Sequence, residues 1–312
     1  MELSDIFQSI IMITFMIAIG AIISRTFIFN HDTQKLFITL IVNVAMPCII
    51  LSSIFHVNME DDIFKKILIV FLLSILINLL GILIGWILAR IFFKDNKVKS
   101  ELAIMSGLGN TAFIGIPLCA VLFGTEGALY AAIFDAGVDF VIWTICVLLL
   151  QKDMNFSFQM FKSMINTPII AIVAGLTLAY FNLKPPTLFI DLTDQLSVLA
   201  APLAMFYIGV LLMNIYRRKK FHGAKPIILL PITVKLIILP IIVALVIPIF
   251  PVDKVISQVI IVQSMMPTLH LASILFAKYS ADEELGATTT VVSTIVSFST
   301  IPLIILLVNT FF

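Results

Sequence analysis

The stretch SGLGNTAFIGIPL (Ser106–Leu118) interrupts an apolar run where a membrane helix should be most regular, and QSMMPTLHLA (Gln263–Ala272) does the same later in the chain. Each carries a proline near its centre, Pro117 and Pro267. Proline removes an amide donor and its ring clashes with the preceding turn. In hydrocarbon, backbone groups freed in this way cost several kcal/mol unless protein or a wet cavity satisfies them. A chain that bears this cost twice points to breaks that bind something.

The surrounding composition sets the class. The 312 residues are 61% hydrophobic and 12% charged, with a mean hydropathy of +1.17. That excludes a soluble globule and fits an all-α polytopic membrane protein. Taking about 20 apolar residues per crossing, the chain divides into ten predicted spans: 6–27, 36–56, 67–93, 101–123, 127–150, 164–182, 194–215, 226–249, 255–278 and 286–310. Long helical runs without period-2 alternation exclude a membrane β-barrel. The first segment is too long for a signal-peptide core and has no basic residue before it, so it reads as the first span. Cys48, Cys119 and Cys146 all fall inside spans. Their odd number and their spacing provide neither a disulfide framework nor a metal site, and they read as packing residues. Fourteen basic residues fall in the loops after odd-numbered spans, including Arg90, Lys94, Lys97, Lys99 and the run Arg217–Lys220. Four, Lys65, Lys66, Lys184 and Lys254, fall on the other side. The asymmetry predicts cytoplasmic odd loops and both termini outside the cytoplasmic (inner) membrane. The run at 217–220 reads as an orientation signal against anionic lipid rather than a nucleic-acid patch.

Five spans followed by five place the halves in opposite orientations. The expected division is 1–150 (spans 1–5), a short cytoplasmic connector at 151–163, and 164–312 (spans 6–10). Landmarks recur in order: Pro47 of NVAMPCII and Pro202 of LAAPLAMF, Pro117 and Pro267, Leu122-Phe123 and Leu275-Phe276, then TEGA (Thr125–Ala128) and ELGA (Glu284–Ala287). Inverted repeats with discontinuous helices at matching positions are a transporter signature, with the site near the midplane.

GNTAFIGIPL in span 4, APLAMFYIGVLL in span 7 and QSMMPTLHLASILFAKY in span 9 resemble the auxin efflux carrier family, whose bacterial members include malate and organic-acid permease-like proteins. The resemblance covers the whole chain. It implies a fold similar to bile-acid/sodium symporters and sodium/proton antiporters. It further implies a scaffold of spans 1, 2, 6 and 7, a mobile domain of spans 3–5 and 8–10, elevator-like alternating access, and a homodimer joined through the scaffold. The short connector departs from the long soluble loop of plant members, so regulation through that loop is not expected.

The side chains around the breaks are polar and mostly uncharged. The candidate substrate-binding set is Asn43, Asn110, Thr111, Gly115, Pro117, Gln263, Met266, Pro267, Thr268 and His270. Both prolines suit the first turn of a second half-helix, where a missing N–H costs nothing. If the breaks cross, two helix N-termini meet in mid-membrane and can hold a carboxylate without a buried arginine. The C-termini then offer carbonyls to a cation. Asn43, four residues before Pro47, either satisfies the carbonyl freed by that proline or faces the substrate. His270 is a hydrogen-bonding or titrating group, or a packing histidine. Asp135 and Asp139 share one face of span 5, roughly 13 and 20 Å deep. Carboxylates are expensive there, and the pair is a candidate coupling site for a proton or sodium ion. Lys235 in span 8 is expected to pair with one of them, to neutralise a substrate carboxylate, to occupy the place of a coupling cation, or to snorkel.

The leading expectation is a secondary-active transporter of a small organic anion, malate-like or auxin-like, with no cofactor, no nucleic-acid partner and membrane lipid around it. The chain has no GxxxxGK[ST] string for ATP and no HExxH, and its paired aspartates lie on one helix, so an enzyme is not expected. A non-transporting receptor or assembly protein and a sodium-coupled bile-acid-type symporter are the alternatives.

Overall fold

Prolines and glycines punctuate helices that are otherwise apolar throughout. The computed structural model describes residues 3–27, 30–57, 62–151, 165–218 and 226–311. The expected connector, apart from Gln151, lies outside them, as do Lys219, Lys220 and Lys225. Among the described residues every regular element is helical. In chain order these are α1 (Leu3–Ile23), α2 (His31–Leu40), α3 (Met46–His56), α4 (Ile63–Phe92), α5 (Asn96–Gly107), α6 (Ile116–Val141) and α7 (Val147–Leu150). Then follow α8 (Thr167–Tyr180), α9 (Thr187–Ser197), α10 (Ala200–Arg218), α11 (Leu229–Thr233), α12 (Leu239–Val246), α13 (Lys254–Ser264), α14 (Ala272–Lys278) and α15 (Glu283–Phe311). Asn30, Asp95 and Asn166 cap α2, α5 and α8, each accepting a backbone N–H at 2.9 Å, which satisfies donors that have no partner inside the helix.

Wide π-turns at Ile41–Ala45, Thr111–Gly115, Ile142–Cys146 and Val234–Ile238 lead into the helices that follow them. Three of them end two residues before a proline: Pro47, Pro117 and Pro240. A proline ring collides with the carbonyl four residues back. Widening the turn at that place moves the carbonyl aside, and the Met46 amide reaches Ile41 O instead. The carbonyl opposed by Pro47 is thus Asn43's own.

Five helical stretches are long and apolar enough to cross a membrane: Asp32–His56, Ile63–Phe92, Thr111–Leu150, Thr187–Leu211 and Pro226–Ile249. Ile11–Ile23, Thr167–Tyr180 and Lys254–Ser264 are shorter apolar helices. The sequence reading divides the chain more finely. One reason is Gly124, at φ 69° and ψ −154° inside α6. Only glycine takes that conformation readily, and it separates two helical pieces of the 40-residue stretch Thr111–Leu150.

The chain forms two compact units. The first comprises Met1–Phe64, Ala112–Ala132 and Ile165–His222. Here α1 packs along α10 with backbones in contact. A Cβ on Gly20 would stand 2.2 Å from Phe206 O, and one on Gly209 2.0 Å from Ile17 O. Helix α3 packs on α8 and α9, with Gly175 against Ile54. Ser52 Oγ donates to Asp194 Oδ1 at 2.7 Å, and His56 Nε2 lies 3.5 Å from Asp194 Oδ2. Gln34 donates to the Tyr207 hydroxyl at 3.2 Å, and the Tyr207 ring lies beside those of Phe37 and Phe113.

The second unit comprises Lys65–Thr111, Ile133–Met164 and Gly223–Phe312. Its core includes Ala89, Leu102, Ile228, Ile232, Leu236 and Leu285. Helix α5 lies tightly on α4, where a Cβ on Gly85 would meet Ser106 Cβ at 2.4 Å. Buried Glu101 accepts from the Asp282 amide at 2.9 Å, and Asp282 in turn caps α15 through the Leu285 amide.

Candidate functional site

Helix α5 stops at Gly107 and α13 stops at Ser264. Leu108 after α5 is extended, the chain after α13 makes a turn at Met265–Met266, and the segments beyond pair with one another. The Asn110 amide donates to Pro267 O at 2.7 Å, and the Leu269 amide to Leu108 O at 3.1 Å, forming an antiparallel bridge between Gly109 and Thr268. Each freed backbone answers the other, which is how non-helical chain persists without water.

Of the two prolines, Pro117 keeps the place expected for it and Pro267 does not. Pro267 lies five residues before α14, inside the extended segment rather than in the first turn of the next helix. The bridge uses its carbonyl and does not need its missing N–H. Pro117 is the second residue of α6, in its first turn, and the stop at Gly107 lies ten residues before it, with a wide turn between.

A polar shell holds the crossing. The Thr268 amide donates to Ser293 Oγ at 3.1 Å and the two hydroxyls are 2.8 Å apart. Ser293 donates to Thr290 O, and Thr290 Oγ1 to Leu269 O, both at 2.9 Å. Gln263, Ser264, Met266 and Thr268 are fully buried. His270 is half-buried in the turn before α14.

Two side chains stand out. Asn110 is 7% exposed, and its Oδ1 is buried with no hydrogen-bond partner among the described residues. A buried acceptor costs about 1–3 kcal/mol unless a donor reaches it. Lys235, 1% exposed, donates from Nζ to Gly107 O at 3.2 Å. The expected pairing of Lys235 with an aspartate is not what is found: its partner is a helix-end carbonyl, and Asp135 instead accepts from Thr111 Oγ1 at 2.5 Å. The C-terminal end of α5 carries partial negative charge, so an ammonium is satisfied there without a carboxylate. Asp135 and Asp139 are both half-buried.

Within the second unit, direct contacts thus join Asn110, Pro267 and Thr268 at the bridge, Lys235 at its edge and Thr111 with Asp135 just after it. Asn43, Gly115 and Pro117 belong to the first unit, where Asn43 Oδ1 accepts from Thr167 Oγ1 at 2.8 Å.

The same family pattern occurs twice in the chain. A model of the family described as membrane transport protein matches residues 5–159 and again residues 152–305. The chain belongs to that family, the one of auxin efflux carrier type. Relatives from two archaea agree. An uncharacterized transporter of Methanothermobacter thermautotrophicus is 21% identical over 297 residues, covering 95% of this chain and 96% of that protein. An uncharacterized transporter of Methanocaldococcus jannaschii is 25% identical over 217 residues, covering 65% of this chain and 68% of that protein. The protein is therefore a multi-pass membrane protein of a transporter family and not an enzyme.

For this transporter, sequence reasoning missed Ser293 and Thr290. The signal was present: Thr289, Ser293 and Ser297 recur every four residues on α15 and are all buried. A polar stripe at helical spacing in an apolar helix has to find internal partners.

Proposed function

We propose that the protein is a secondary-active carrier of a small organic anion, with its ten spans arranged as two inverted five-helix repeats and its substrate at the crossing of Leu108–Asn110 with Met266–Leu269. The observation that carries this reading is the buried acceptor Asn110 Oδ1 beside paired, unwound backbone. A carboxylate that also bears a hydroxyl or N–H donor, as malate-like and auxin-like acids do, fits such a site. The carboxylate would be held by backbone dipoles and the donor by Asn110, with Gln263, Met266, Thr268 and His270 around them and Gly115 and Pro117 shaping the re-entry into helix. The match of one family model to each half supports the duplication, and five spans per half would invert it.

Elevator-type movement of one unit is the transport mechanism in this reading. The division into two units supports it: the first holds expected spans 1, 2, 6 and 7, and the second holds most of spans 3–5 and 8–10, with 112–132 grouping with the first. A homodimer through the first unit, residence in the cytoplasmic membrane with termini outside, and a proton or sodium ion coupled through Asp135 and Asp139 complete the proposal, together with kinship to bile-acid symporters.

Counterflow in proteoliposomes, using labelled dicarboxylates and aromatic acids, tests it. Exchange of at least one such anion is expected, and no exchange with any of them would remove the carrier reading. Asp135→Asn and Asp139→Asn should abolish dependence on an imposed ion gradient. Retained dependence would make both carboxylates structural.

A further inference from the structure

Among the described residues Lys235 is the one buried lysine or arginine, and it is placed against the unwound backbone. Its Nζ meets Gly107 O, the final carbonyl of α5. A Cβ on Gly109 would come within 3.0 Å of its Cε and 3.1 Å of its Nζ, so glycine is what lets the amine lie beside the extended segment. In cation-driven carriers with discontinuous helices, half-helix C-termini and unwound carbonyls are where the coupling ion is held. An ammonium carries more donors than this one carbonyl uses. Among the described residues no carboxylate forms an ion pair with it, and Asp135 accepts from Thr111. A buried positive charge held only by carbonyl dipoles attracts an anion strongly.

We propose that Lys235 is a resident cation: its amine occupies the place of a coupling sodium ion at the end of α5 and supplies the positive charge for a carboxylate of the transported anion, so that transport needs no sodium and, of the two coupling ions considered at Asp135 and Asp139, only the proton is kept. This inference deepens the carrier reading and rests on it for the substrate half. The cation half stands on the crossing alone. Asn110, the residue next to Gly109, contributes the unmet buried acceptor that a ligand at this place would reach.

The test compares the purified wild type with Lys235→Ala in sodium chloride and in choline chloride of equal ionic strength, first by thermal unfolding without substrate and then by malate counterflow. The wild type should melt and exchange equally in both salts. Folded K235A should melt lower in choline and recover in sodium, because the vacated carbonyl cradle accepts the ion. Its anion affinity in choline should fall about tenfold, the effect of losing one favourable charge contact of roughly 1.4 kcal/mol. Sodium stabilisation of the wild type, or a folded K235A with no sodium response, overturns the proposal. Should K235A not fold, the wild-type salt comparison remains decisive against it, and Gly109→Ala, which crowds the amine without removing it, replaces K235A with a smaller sodium response expected and none overturning the idea. The thermal arm uses no substrate, so failure of malate exchange counts against the carrier reading and leaves the cation result to be read separately.

Discussion

The seam between α1 and α10 in the first unit and the crossing of Leu108–Asn110 with Met266–Leu269 in the second both bring backbone against backbone through glycine. They do so with opposite chemistry. At the seam the helices stay intact, and Gly20 and Gly209 simply remove the side chains that would hold the axes apart. Dispersion between close surfaces is what such a contact offers in lipid. At the crossing the helices end, the hydrogen bonds run between two distant segments of the chain, and serines and threonines fill in around them. Among the described residues of the seam no buried polar side chain is unmet. The crossing leaves Asn110 Oδ1 unmet and an amine facing carbonyls. Close packing alone therefore reads as architecture, and close packing with unfinished polar chemistry reads as a site.

Substitutions should separate the two regions. The largest effect is expected at the seam. Gly209→Leu places a side chain where even a Cβ would overlap Ile17 O at 2.0 Å. Overpacking costs about 1–3 kcal/mol in ordinary cores, and this backbone-to-backbone position should lie at or above the top of that range. A fall in melting temperature and in monodisperse yield is the measure. A G209L protein that melts like the wild type would mean that α1 and α10 do not meet in the membrane. At the crossing, Ser293→Ala removes the partner of the Thr268 amide and leaves a buried N–H unmet, for about 2 kcal/mol of destabilisation. Unchanged stability would show that Thr268 has another acceptor.

Asn110→Ala sharpens the comparison most, because stability and function should part company. Removing an acceptor that has no partner costs the folded protein little and stands to relieve about 1 kcal/mol of desolvation. Substrate affinity in counterflow should nevertheless fall by about tenfold, one hydrogen bond to a ligand at a buried site. An N110A variant that loses stability while keeping affinity would make the amide structural and put the crossing in the same class as the seam.

Which of this was legible in the chain follows the range of the forces. Membrane class follows from composition. The neighbourhood of the breaks follows from Gly107, Gly109 and the prolines, since local backbone chemistry is written in local sequence. The family follows from strings such as GNTAFIGIPL and QSMMPTLHLASILFAKY. The place where α5 ends was hidden because Pro117 draws the eye, whereas the stop is made by pairing with Pro267 and Leu269, more than 150 positions away. The same holds for Lys235. Opposite charges suggested an aspartate, and the deciding partner is a main-chain carbonyl at a helix end, which no side-chain pattern reports. Pro267 shows the point most sharply, since its identity is read from the sequence but its use depends on which strand lies opposite.

The smallest expected effect lies in the first unit's own polar anchor, Ser52–Asp194–His56. Ser52, like Ser293, ties two elements together through its hydroxyl, which here donates at 2.7 Å to Asp194 Oδ1 on α9. The surroundings differ, because the Asp194 and His56 side chains are 36% and 49% exposed. When Ser52 is replaced by alanine, water can reach the carboxylate and repay the lost bond, and a half-exposed His–Asp pair is worth only about 0–1 kcal/mol. Ser52→Ala should therefore lower stability by a few tenths of a kcal/mol to about 1, well below Ser293→Ala, although the bond at Ser52 is the shorter, 2.7 Å against 3.1 Å. Thermal unfolding of both variants side by side measures the difference. Equal losses would mean that Asp194 is shielded in the membrane-embedded protein, and that the contrast between a wet anchor in one unit and a dry one in the other does not survive insertion.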